Sequence, residues 1–157
     1  MRKLSLLLIC AIACFSTISC KKDSTCTDRS PAQEEAAILT YLSVNSITGY
    51  VKHSSGMYYK IEADGAGVKP TLSSKVYVKY TGKFTDNSVF DSQTDASATG
   101  WTLGTLVQGW QLGIPLIAKT GKIKLFIPSS LGYGCNTQRS IPGNSILVFD
   151  IELVDVK

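Results

Sequence analysis

Beyond Met57 the apolar residues recur at every second position, in short runs separated by turn residues. Met57-Tyr58-Tyr59-Lys60-Ile61-Glu62 alternates, and Val76, Val78 and Tyr80 fall on one side of the next run with Tyr77, Lys79 and Thr81 on the other. A period of two is the signature of the strand pleat. Gly82 marks a bend or bulge, Thr85-Asp86-Asn87-Ser88 has turn composition, and Val89-Phe90-Asp91 returns as a strand. Ser92 to Gly100 is small and polar and reads as loop, and Trp101-Thr102-Leu103 reads as a further short strand. Ile123, Leu125 and Ile127 face one way with Lys122 and Lys124 opposite. The chain closes with Leu147, Phe149, Ile151 and Leu153 against Asp150 and Glu152. Within this region the one helical segment runs from Val107 to about Pro115. Trp110 and Ile114 stand four apart on a shared face, and Pro115 cannot donate to the carbonyl of residue 111, so the helix is short or bent. Many short strands and one short helix predict an α+β fold, a curved antiparallel sheet wrapped around that helix.

Before Met57 the pattern changes. Ser30-Pro31-Ala32-Gln33 has the residues of a helix start, and Glu34 and Glu35 suit the positive end of the helix dipole. The helix is expected to run to about Ser43 and to pack on the strands beyond it, or to space them from the leader. Thr48 to Gly56 reads as loop. It holds His53, the single histidine, which lacks metal-spaced partners and is assigned to the surface. The first residues, "MRKLSLLLICAIACFSTISCKKD", combine a basic start, an apolar run and small residues ahead of a cysteine, the pattern of a secretory leader. It resembles a bacterial lipoprotein leader, with Thr17-Ile18-Ser19-Cys20 as lipobox and Cys20 as the acylated residue. Cys14 is the rival, and plain secretion is the simpler alternative. Cys20 is preferred because Lys21-Lys22-Asp23 begins a polar stretch, whereas Phe15 continues the apolar run. The expected organisation is a leader over residues 1–19, a tether with a short helix over 20–56, and a domain over 57–157. The protein is then lipid-anchored in the bacterial cell envelope, on the outer membrane facing the periplasm.

Composition narrows the function classes. Hydrophobic residues make up 44% and charged residues 18% of 157, enough for one real core and too apolar for general disorder. The formal charge of +4 falls to +2 once Arg2 and Lys3 leave with the leader, since 14 basic residues then face 12 acidic ones. That balance does not support a nucleic-acid partner. The sequence has no phosphate-binding glycine loop and no nucleophile–base set, and it implies neither cofactor nor metal. After acylation two cysteines remain, Cys26 and Cys135, which either pair in an oxidising compartment or stay separate.

Four motifs in order, "VKYTGKF…VFDSQ", "LGTLVQGWQLGI", "IPSSLGYG" and "IPGNSILVFDIELVDV", make residues 57–157 resemble an FKBP-type peptidyl-prolyl cis-trans isomerase. The resemblance implies a five- or six-stranded antiparallel sheet around one helix, and a pocket for a proline ring. Trp110 is then the floor, with Tyr80, Phe90, Val107 and Phe149 around it. Trp101, Leu106 and Ile141 contact substrate, and the Val107 N–H and Tyr133 hydroxyl meet substrate carbonyls. Asp91 is implied to be a buried carboxylate held by Tyr80 or by pocket backbone. Cys135 falls on the loop that overhangs the pocket, where a disulfide would stiffen it. This sequence departs from the family pattern at Gly143, where a second proline is usual, at Val107, at Thr99-Gly100-Trp101 and at Pro115. The implied activity is Xaa–Pro isomerisation that assists the folding of exported proteins, with proline-containing unfolded chains as partners. Two alternatives are a module that grips proline segments without catalysis and a scaffold paired through its N-terminal helix.

Overall fold

The computed structural model describes residues 26–157. The leader, Cys14 and Cys20 lie outside the described residues. Seven strands form one antiparallel sheet: β1 (Val51–Lys52), β2 (Tyr58–Ala63), β3 (Lys75–Lys83), β4 (Val89–Gln93), β5 (Trp101–Thr102), β6 (Lys122–Ile127) and β7 (Leu147–Val156). The order is β1-β2-β6-β7-β3-β4, with β5 paired to β3. The ten-residue β7 is the central strand, bonded to β6 on one side and β3 on the other. Among the described residues two α-helices accompany the sheet, α1 (Pro31–Val44) and α2 (Gln108–Gly113).

One face of the sheet carries the main core. Val76, Val78, Ile123, Leu125, Ile127, Leu147, Phe149, Ile151 and Leu153 pack there with Trp110 and Ile114. The strand residues in this set are those that period two assigned inward. After Gly113 the chain tightens into a 3₁₀ turn over Ile114–Leu116, where Pro115 removes the donor that a further α-turn would need.

The opposite face is also covered. Ile38, Tyr41 and Leu42 of α1 pack against Tyr58, Phe126 and Val148. Where Phe126 pairs with Val148, β6 and β7 are therefore apolar on both sides, whereas the neighbouring Lys124–Asp150 pair keeps the rest of that face polar. The helix begins as its sequence predicts: the Ser30 N–H donates to Gln33 Oε1 at 2.8 Å, and the Gln33 N–H donates to Ser30 O at 3.0 Å. It docks through polar contacts as well. Tyr41 donates to Asn87 Oδ1 at 2.8 Å, and Glu35 accepts from Tyr58 and from Lys52, both at 2.5 Å. Glu34 is 3% exposed and accepts from Ser129 N–H and Oγ–H at 2.7 and 2.9 Å. Its carboxylate thus ties the first turn of the helix to a loop of the domain. The segment read as loop over 48–56 contains the edge strand β1, whose Val51 and Lys52 pair with Tyr59 and Tyr58. His53 lies in the turn beyond β1, half-buried, with Nδ1 2.9 Å from Ser55 Oγ.

Candidate active site

One cavity of about 490 Å³ opens where β3, β4, β5, α2, β7 and two loops meet. All ten residues expected around a pocket line it: Tyr80, Phe90, Asp91, Trp101, Leu106, Val107, Trp110, Tyr133, Ile141 and Phe149. Tyr80 and Phe149 come from neighbouring strands, Trp101 from β5 opposite Val76, and Trp110 from the first turn of α2. The rings interlock edge to face. Trp110 meets Tyr80 at 5.2 Å and 81°, and Phe149 at 5.2 Å and 86°. Phe90 meets Phe149 at 5.5 Å and 90°, and Trp101 lies 6.0 Å from Tyr80. Such T-shaped contacts add to the area each ring buries and fix the wall. Trp110 is 4% exposed, and its indole N–H has no partner among the described residues.

Phe90 and Asp91 are consecutive, so an unbroken strand would send them to opposite faces. The β3–β4 register shifts between Gly82 and Lys83: Gly82 faces Asp91 and Lys83 faces Val89. Phe90 is the extra residue of a bulge, and a bulge re-aims its side chain. Gly82 is needed opposite it, because a Cβ there would lie 2.6 Å from the Phe90 ring and 2.8 Å from the Phe149 ring.

Asp91 corrects one expectation. It is exposed rather than buried, on a strand, β4, at the edge of the sheet. It still does what the motif implies towards Tyr80, accepting the phenol hydrogen at 2.6 Å. Burial, and then that bond to a carboxylate, push the Tyr80 pKa well above the ordinary phenol value, so Tyr80 stays a donor. Tyr133 stands at the mouth, 37% exposed. Burial and the charge of Asp91 raise its pKa, and Arg139 opposes them. Val107 precedes α2. Its carbonyl accepts from Trp110 and Gln111 N–H at 2.9 and 3.2 Å, while its own N–H stands ahead of the helical ladder.

Thr105, Gln138, Arg139 and Ser140 also line the cavity and were not anticipated. They are polar loop residues without periodicity, and their adjacency to Leu106 and Ile141 was the only signal. The loop of the last three is braced by residues 26–29, whose polar sequence has the character of a tether. Cys26 and Cys135 form a disulfide with Cα atoms 5.4 Å apart. Asp28 Oδ1 accepts from Cys135 N–H at 2.7 Å, and Asn144 Oδ1 accepts from Arg29 N–H at 3.3 Å. The Asn144 N–H donates to Gly134 O at 2.7 Å, and Gln138 and Ile141 exchange two backbone bonds of 2.9 Å. This folding explains the glycine at 143: a Cβ there would lie 2.0 Å from the Cys135 carbonyl oxygen, so a proline would collide with the braced turn.

The family model for FKBP-type peptidyl-prolyl cis-trans isomerase matches residues 67–154. This chain belongs to that family. Over 119 residues it is 40% identical to the FKBP-type peptidyl-prolyl cis-trans isomerase FkpA of Aeromonas hydrophila, an alignment covering 74% of this chain and 44% of that protein. The corresponding figures for FkpA of Escherichia coli strain K12 are 42% identity over 110 residues, 69% and 41%. The chain thus aligns with less than half the length of these curated relatives. The crystal structure of Escherichia coli FkpA superposes with a TM-score of 0.69 at 36% identity, over 81% of this chain and 61% of that one. A peptidyl-prolyl cis-trans isomerase from Pseudomonas syringae pv. tomato gives 0.67 at 27% identity, over 83% and 98%. The FKBP-like α+β fold, an antiparallel sheet with a short helix and a helix N-terminal to it, is shared with these structures.

Proposed function

We propose that this chain accelerates cis–trans rotation about Xaa–Pro peptide bonds in unfolded or partly folded polypeptides. The supporting observation is the convergence of Tyr80, Phe90, Trp110 and Phe149 into one cavity with Asp91 and Tyr133 at its edge. Uncatalysed rotation crosses a barrier of ~18–20 kcal/mol set by amide resonance. Resonance places negative charge on oxygen, and twisting the C–N bond removes that charge separation. Water stabilises the planar, charge-separated state, whereas an apolar cup stabilises it less, so the twisted state lies relatively lower. The proline ring sits on Trp110. The Val107 N–H and the Tyr133 hydroxyl take flanking carbonyls, with Trp101, Leu106 and Ile141 against the adjoining residues. Asp91 orients Tyr80 through their hydrogen bond and faces the twisting imide. No bond is made or broken, and each tenfold in rate needs ~1.4 kcal/mol of differential contact.

The same reading places the protein in the bacterial envelope, acylated at Cys20 on the outer membrane, where it assists exported chains. The lipobox-like Thr17-Ile18-Ser19-Cys20 supports the anchor, and the Cys26–Cys135 disulfide fits an oxidising compartment. A protease-coupled proline isomerisation assay tests the activity: the purified mature chain shortens the slow phase, while Trp110→Ala and Asp91→Ala restore much of it. A wild-type rate equal to the spontaneous one would leave a pocket that grips proline segments without catalysis. Mass spectrometry of the membrane fraction tests the anchor, since acyl mass should vanish in Cys20→Ser and persist in Cys14→Ser.

A further inference from the structure

Four polar residues line the cavity without a task in the rotation, Thr105, Gln138, Arg139 and Ser140, and of these Arg139 alone carries a charge. Arg139 lines the cavity, is exposed, and takes part in none of the ion pairs among the described residues. It does not hang from a loose loop. Its backbone takes the left-handed conformation, φ 52°, inside the turn closed by the reciprocal Gln138–Ile141 bonds. That turn lies just beyond the Cys135 disulfide. Asp91 lines the same cavity from β4, accepts the Tyr80 hydroxyl and forms no ion pair among the described residues. Tyr133 feels both charges, in opposite senses, so both act on the same space. Residues flanking a proline ring seated on Trp110 leave a cavity that both the Arg139 cation and the Asp91 anion line.

We propose that Arg139 is a specificity-determining residue, selecting proline segments with a carboxylate side chain directly before or after the proline. Arg139 attracts such a carboxylate, whereas a lysine at that place meets like charge. The inference rests on the isomerase reading and deepens it. The gain is that of an exposed ion pair, about 2- to 5-fold in kcat/KM, and it shrinks as salt screens the mouth.

The test uses the purified mature chain and two peptide series, with Glu, Gln or Lys placed before the proline in one and after it in the other. Exchange between isomers is read by NMR, which needs no coupling protease. In at least one series wild type should rank Glu above Gln above Lys, with the spread narrowing at high salt. Arg139→Gln should remove the Glu-to-Gln ratio, Arg139→Glu should invert it, and Arg139→Lys should keep most of it. A merely structural role for Arg139 would slow all peptides together and leave the ratios alone. A flat wild-type ranking in both series, or ratios unchanged in Arg139→Gln, overturns the assignment while turnover itself still upholds the isomerase. Absence of acceleration with every peptide overturns the isomerase reading, and this one with it.

Discussion

Replacing Glu34 by alanine should destabilise the fold although the residue lies on the N-terminal helix, far in sequence from the pocket. Its carboxylate is 3% exposed and holds two donors of Ser129, the backbone N–H at 2.7 Å and the hydroxyl at 2.9 Å, and Ser129 is itself fully buried. Hydrogen bonds to charged groups contribute ~1.5–3 kcal/mol each. The cost of keeping the carboxylate out of water offsets part of the sum. Alanine removes both bonds and leaves the Ser129 N–H buried without a partner, so the net loss should be about 2–4 kcal/mol. For a chain of this size that lowers Tm by roughly 6–15 °C. Glu34→Gln keeps an acceptor oxygen and should lose about half as much. Urea and thermal unfolding of the purified mature proteins read both values. A Glu34→Ala change within ~0.5 kcal/mol of wild type, the effect of an ordinary surface substitution, would refute the docking argument and return α1 to the role of spacer. Deleting α1 altogether should be more severe. Ile38, Tyr41, Leu42, Tyr58, Phe126 and Val148 bury one another, and each is worth ~1.5–3 kcal/mol. Their sum approaches the whole stability of a typical domain.

Other contacts give three further expected outcomes. Reducing the disulfide, or replacing Cys26 by serine, should lower stability by about 2–5 kcal/mol, because it closes a loop with a sequence separation of 109; an unfolding midpoint indifferent to reductant would count against it. Burial alone would raise the pKa of Asp150, but hydrogen bonds from Lys124 and Lys83 outweigh burial and hold it below the ordinary carboxylate value. A depressed carboxyl stabilises above its unfolded pKa, so that contribution should fade as pH falls below about 4, and Asp150→Asn should flatten this acid limb in unfolding measured from about pH 6 to about pH 2. Gly82→Ala should push the Phe90 and Phe149 rings, 2.6 and 2.8 Å from the new Cβ, out of the pocket wall. The expected cost is ~1–3 kcal/mol of stability and about tenfold or more in kcat/KM; unchanged turnover would mean that the wall tolerates the shift.

What the sequence displayed depended on how many sides of an element are buried. Val76 and Val78, or Leu147 to Leu153, alternate cleanly because each strand turns one row of residues to the main core, and period two finds such rows. Phe126 and Val148 break the rule because α1 covers the other face there, so period two alone gives them no place in a core. The start of α1 was legible, but the face it buries, Ile38, Tyr41 and Leu42, and the surface that face covers were not, since a helix start does not name a partner. The pocket was legible through the order of four motifs, and periodicity would have left Trp110 and Phe149 as plain core. Asp91 was misjudged because exposure belongs to strand order, and nothing in the residue string says that β4 lies at an edge.

The N-terminal segment gains its meaning only in three dimensions. Glu34 holds Ser129, while Cys26 and Asp28 hold Cys135. These attachments fall on both sides of Tyr133, and the second immediately precedes the turn that carries Arg139. A hydroxyl and a guanidinium on a free loop would each lose conformational freedom on meeting a peptide, and that loss would weaken every contact they make. With Tyr133 between Ser129 and Cys135, and Arg139 between Cys135 and Asn144, whose side chain accepts from the Arg29 N–H, they lose less. The polar stretch that reads as a tether is, from Cys26 onward, a brace for the pocket mouth, and its contribution to recognition should be sought in the affinity for flanking residues rather than in the rotation of the imide itself.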